Sequence, residues 1–107
     1  PLQKLFAEDV QTLLIDLFAE NPAALAAKLK VPLLIVQGDN DIQVTVADAR
    51  ELAAAQPRAK LLLLPGVNHL LKVPEGADRA ANIRAYADPS LPIAPAAVEA
   101  IARFVTR

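Results

Sequence analysis

A single histidine, His69, and an aspartate, Asp41, are the two residues of this 107-residue sequence whose placement suits acid–base chemistry. Each stands a few positions beyond an apolar run. Asp41 follows Leu33-Leu34-Ile35-Val36 by way of Gly38, and His69 follows Lys60 to Leu64 by way of Pro65-Gly66-Val67-Asn68. A carboxylate bonded to one imidazole nitrogen fixes the tautomer and stabilises the imidazolium, which leaves the other nitrogen to act as general base. Asp39 is the competing acid in the same loop, and its side chain is expected to cap the turn. Asn68 reads as a plain turn residue, with a part in setting the histidine loop as the less favoured alternative. Gly66 reads as a position whose backbone angle other residues resist. Ser90, the only serine, sits in the proline-flanked loop "DPSLP" with nothing beside it to activate a hydroxyl. Glu75, Asp78 and Arg79 read as a solvated face.

For Asp41 and His69 to meet, their loops must leave the same edge of one sheet. The run Leu33 to Val36 has no polar alternation, which suits a parallel strand covered on both faces. Thr45-Val46-Ala47-Asp48 has the form of a capping box, so a helix is expected from Val46 to Gln56, stopped by Pro57. Lys60 to Leu64 forms the second strand. Strand, crossover helix and strand make a right-handed βαβ unit. In such a unit both loops emerge at the carboxyl edge, where open α/β sheets hold their sites. Adjacent strands lie about 4.8 Å apart, so the two side chains are expected within about 6 Å of each other.

Helices flank this unit. Leu2 to Phe18 reads as an amphipathic helix with Val10, Leu13, Leu14 and Leu17 on one face. Asn21-Pro22 caps a second, short helix from Ala23 to Lys28. Leu70 to Ala94, interrupted by Pro74, Gly76, Pro89 and Pro92, reads as a long ordered loop with a short helix around Arg79 to Arg84. Pro95 opens a last helix with Val98, Ile101, Ala102 and Val105 on one face. The whole, residues 1–107, is expected to be a single α/β domain.

Composition excludes several functions. Lysines and arginines are scattered and the net charge is −1, so no basic stripe follows a phosphate backbone and nucleic acid is not an expected partner. There is no cysteine, hence no disulfide, thiolate metal site or cysteine nucleophile. A metal held by His69 with Asp39 or Asp41 would be a poor site with no further histidine. No cofactor or metal is expected. Apolar residues make up 54% of the chain, much of it alanine, and the longest apolar runs are too short to span a bilayer. No membrane association is expected, and the default compartment is the cytoplasm in soluble form.

The stretch "VPLLIVQGDNDIQVTVADARELAAAQPRAKLLLLPGVNHLLK" resembles the C-terminal part of the α/β-hydrolase fold. More narrowly, it is similar to bacterial esterase and serine-aminopeptidase-like members. Gly38, Asp41 and Val44 match that family's G-x-x-D-x-x-V segment, and Gly66 and His69 match its G-x-x-H-like segment. The terminal "AIARFV" matches its last helix, so the resemblance covers nearly the whole chain. It implies that Asp41 is the acid and His69 the base of a catalytic triad acting on an ester or amide. The family's G-x-S-x-G nucleophile elbow and its first oxyanion loop have no counterpart here. The strand that would pair with Leu33 to Val36 has none either. The chain is therefore expected to be either a fragment that supplies acid and base to a serine hydrolase, inactive alone, or a non-catalytic binding or assembly module. A small ester or amide is the expected ligand. The unguarded edge of Leu33 to Val36 and the leucine-rich first helix point to a homodimer, formed by antiparallel edge pairing or by exchange of the N-terminal helix.

Overall fold

The computed structural model describes residues 7–106, and Leu2 to Phe6 of the expected first helix lie outside them. The elements run α1 (Glu8–Ala19), α2 (Pro22–Ala27), β1 (Leu34–Gly38), α3 (Val46–Ala55), β2 (Lys60–Leu64), α4 (Arg79–Tyr86) and α5 (Pro95–Thr106). β1 and β2 form a two-stranded parallel sheet with Leu34 opposite Lys60 and Gly38 opposite Leu64. The class is α/β, built on a strand–helix–strand unit as the sequence predicts.

The crossover helix α3 has the local signals that a helix needs. The Thr45 side chain accepts from the Asp48 N–H, and Asp48 Oδ2 accepts in turn from the Thr45 N–H at 3.1 Å, a complete capping box. At its far end Gln56 is buried and donates from Nε2 to the carbonyls of Ala26 and Leu29, at 3.2 and 2.9 Å. That amide ties the end of α2 and the residues just beyond it to the end of α3. α3 packs against both strands and α2, and α5 packs against β1.

The core is small. Leu64, Val67, Ala94 and Ala97 form its centre, with Val36, Leu62 and Leu71 against it. Half of that centre is alanine, which buries little area per residue.

Several boundaries differ from expectation. β1 runs two residues further than its apolar run, through Gln37 and Gly38, because pairing with β2 continues to Leu64 whatever the hydropathy. Leu34, Ile35 and Val36 are only half-buried rather than fully covered, since a two-stranded sheet gives its neighbours little to pack on. α4 runs to Tyr86, longer than predicted, and its N-cap is Asp78, whose Oδ1 accepts from the Ala81 N–H at 2.8 Å. Asp78 is exposed like Glu75 and Arg79, but it has this capping role as well. The long segment is closed at its base by an antiparallel bridge between Lys72 and Ile93 and by the bond from the Ala94 N–H to the Leu71 carbonyl at 2.7 Å.

α1 stands apart. No residue of it is buried, it lacks a side-chain N-cap, and Leu13, Ile15, Leu17 and Phe18 are all more than half exposed. Among the described residues, no helix is long and apolar enough to cross a membrane.

Candidate active site

The two loops leave the carboxyl ends of neighbouring parallel strands and are stitched together before any side chain is considered. The Asp39 N–H donates to the Leu64 carbonyl at 3.1 Å, and the Asn40 N–H donates to the Val67 carbonyl at 3.0 Å. The Gly66 N–H donates to Asp39 Oδ1 at 2.6 Å. Asp39 thus joins one loop to the other rather than capping its own turn. Gly38 permits this approach: a Cβ there would lie 2.0 Å from the Val67 carbonyl oxygen. Gly66, with φ +73°, makes the turn out of β2.

Asp41 is held by its own loop. Its Oδ1 accepts from the backbone N–H groups of Gln43 and Val44, at 2.8 and 2.9 Å, a carboxylate-closed turn. Its Oδ2 accepts from Gln37 Nε2 at 3.2 Å and lies 2.8 Å from His69 Nδ1. Partial burial disfavours the charged form of Asp41. The Val44 N–H, the His69 imidazole, the Gln43 N–H and the attraction of the imidazolium together outweigh it and hold the carboxyl below its ordinary range.

His69 is held by Asn68, whose side chain is fully buried. The Asn68 N–H donates to the Lys72 carbonyl at 2.8 Å, and its carbonyl accepts from the Leu71 N–H at 3.0 Å. Its side-chain Oδ1 accepts from the N–H groups of both Leu70 and Lys72, each at 3.0 Å. One asparagine therefore bonds across the whole turn that presents the histidine. The turn ends on Leu71 at φ +60°, a left-handed angle that a leucine adopts only under such constraint.

The structure brings Asp41 and His69 together as expected, in direct hydrogen-bond contact. An ionised carboxylate has no proton to donate, so in this bond the imidazole Nδ1 carries the proton, and in the neutral ring Nε2 then holds the lone pair. No partner engages Nε2 among the described residues. The Asp41 side chain is 6% exposed and that of His69 37%, so the acid is shielded and the base faces outward.

Ser90 is exposed and already engaged. Its hydroxyl donates to Asp88 Oδ1 at 2.6 Å and its N–H donates to the same oxygen at 2.9 Å. These bonds hold the Asp88 carboxyl below its usual range, and a carboxylate so stabilised is a weak base for activating a hydroxyl. Among the described residues, no group of three or more His, Asp or Glu side chains gathers to hold a metal.

Two supporting residues are not visible in the sequence as parts of the site. Gln37 reaches Asp41 from inside the strand. Asn82 on α4, nearly fully buried, donates from Nδ2 to the Asn40 carbonyl at 2.6 Å and braces the acid loop from 42 positions away. Gln37 carries a signal, a lone polar residue closing an apolar strand. Asn82 carries none that a linear pattern reveals. No family model matches the sequence, and no curated protein matches it either.

Proposed function

We propose that this chain is the acid- and base-bearing part of a serine hydrolase with a partial α/β-hydrolase fold, cleaving a small ester or amide by acyl transfer. The observation that carries the reading is the 2.8 Å contact between Asp41 Oδ2 and His69 Nδ1 at the carboxyl edge of two parallel strands. Asp41 holds the imidazole in the tautomer whose Nε2 accepts a proton. A serine outside the described residues then attacks the substrate carbonyl carbon, and its hydroxyl proton passes to Nε2. The imidazolium, stabilised by the Asp41 carboxylate, returns that proton to the leaving alcohol or amine. Water repeats the sequence and releases the acid. Ser90 does not take the nucleophile's part, because its hydroxyl is bonded to Asp88.

The chain alone is therefore expected to turn over no ester. A non-catalytic binding or assembly role is the second reading, and the engagement of Ser90 within its own turn favours it for any form of the protein that lacks a further serine. The test is hydrolysis of p-nitrophenyl acetate by the longest gene product that contains these residues, with the 107-residue chain as control. Turnover that falls by about four orders of magnitude or more in His69→Ala supports the hydrolase reading. Turnover indifferent to His69→Ala, or none in any form, overturns it in favour of the non-catalytic role.

A further inference from the structure

Gln37 is the one polar side chain between the apolar residues and the glycine of β1, and it is buried, 7% exposed. An amide taken out of water is costly unless its hydrogen bonds are remade. Its Nε2 lies 2.9 Å from the Gly38 carbonyl, 3.0 Å from the Val44 carbonyl and 3.2 Å from Asp41 Oδ2. Those acceptors are the last residue of β1, the last residue before the Thr45 cap of α3, and the functional side chain of the loop between them. Two amide protons are thus shared among three acceptors that together define where Asp41 sits.

The division of labour on Asp41 makes the third bond informative. Oδ1 is occupied by the loop's own N–H groups, from Gln43 and Val44. Oδ2 is left for two donors, Gln37 Nε2 and His69 Nδ1. The backbone bonds to Oδ1 hold one oxygen through N–H···O contacts that bend, which leaves the carboxylate some tilt. A donor fixed in the strand and aimed at Oδ2 restricts that tilt. We propose that Gln37 is a positioning residue, which holds Asp41 Oδ2 where the His69 imidazole donates to it. Its role rests on the acid–base reading above, but the geometry is testable without any turnover.

The test is nuclear magnetic resonance on the labelled 107-residue chain. In the wild type, the Gln37 side-chain amide resonances should move with the midpoint of the Asp41 carboxyl carbon as pH is lowered. Asp39 and Asp48, the carboxylates nearest in sequence, are followed in the same spectra to exclude their titration as the cause. In Gln37→Met, which keeps the length and loses both donors, two changes are expected. The Asp41 midpoint moves upward, and the His69 Nδ1 proton exchanges with water about tenfold faster or is lost, the consequence of one missing hydrogen bond of ordinary strength. A purely structural amide would change the unfolding midpoint and leave both signals in place. A folded Gln37→Met with wild-type Asp41 midpoint and Nδ1 proton overturns the proposal. If that variant does not fold, the wild-type titration decides: amide resonances indifferent to Asp41 ionisation overturn it equally. Failure of the ester assay alters none of these readouts, so the two readings fail separately.

Discussion

Asp41 is both the acid of the site and a stability group, and the two roles share one titration. Its folded-state carboxyl sits below its ordinary value, because the Val44, His69 and Gln43 bonds overcome the cost of partial burial. A group depressed in this way stabilises the fold fully above its unfolded value, about 3.9, and loses that contribution as pH falls through the folded value. The urea midpoint should therefore decline as pH drops below about 4, and Asp41→Asn should flatten that decline. Asp88, also depressed, adds a slope of the same sign, and Asp88→Asn is the control that separates them. An unaltered acid slope in Asp41→Asn would show that its bonds are not maintained in solution. Gly38 at the end of β1 and Gly66 in the turn after β2 make a second contrast at this scale. Gly38→Ala drives a methyl into the Val67 carbonyl, whereas Gly66→Ala meets open space and suffers only its left-handed φ. Gly66→Ala should cost about 1–2 kcal/mol, and Gly38→Ala clearly more, because it pushes the two loops apart and Asp41 away from His69. Urea denaturation ranks them.

At the scale of elements, the histidine turn and the crossover helix are held by different means. Asn68→Ala leaves the Leu70 and Lys72 N–H groups without their acceptor inside a part-buried turn, which should cost about 1–3 kcal/mol and free Leu71 from its left-handed angle. Thr45→Ala removes one half of the capping box and should cost about 1 kcal/mol without moving His69. Comparing the His69 ring resonances of the two variants tests whether Asn68 places the base. A His69 spectrum equally undisturbed in both would contradict that role. The same elements show what a linear pattern reveals. α3 and β2 are legible in the sequence because Thr45, Asp48, Pro57 and Pro65-Gly66 are local signals that act on their own neighbours. Asp41 and His69 are legible because strand order alone sends both loops to one edge. The end of β1 is not, since Gln37 and Gly38 join the strand through pairing with β2 and not through hydropathy. The brace from Asn82 to Asn40 is illegible for a related reason, because it exists only once α4 has folded back on the acid loop.

The molecule as a whole exposes more than its mass warrants. Its accessible surface is 7779 Å², against about 5,800 Å² expected for a compact monomer of this size. Its radius of gyration is 16.0 Å, where a compact chain of 100 residues has about 13 Å. The excess is apolar in part. Leu13, Ile15, Leu17 and Phe18 on α1 and Val98, Ile101 and Val105 on α5 face outward. β1 pairs only with β2, so among the described residues no strand covers its other edge, and no lysine lies along it to deter a partner. A net charge of −1 offers little repulsion between copies. The isolated chain is therefore expected to self-associate as a two-fold homodimer. It would form by antiparallel pairing of the β1 edges into four strands or by exchange of α1, with upwards of about 2,000 Å² buried in total. Mass action then ties folding to concentration: dilution should lower the mass and the helical signal together, with no stable folded monomer between. Light scattering and circular dichroism across a concentration series measure both quantities. Lysine introduced on the edge by Ile35→Lys would confound packing with pairing, because that side chain is half-buried. Leu17→Lys and Phe18→Lys on exposed α1 are cleaner, and should weaken the helix-exchanged dimer while sparing the edge-paired one. A cooperative, folded monomer at low micromolar concentration would mean that this surface is tolerated bare, and the dimer would have to be given up.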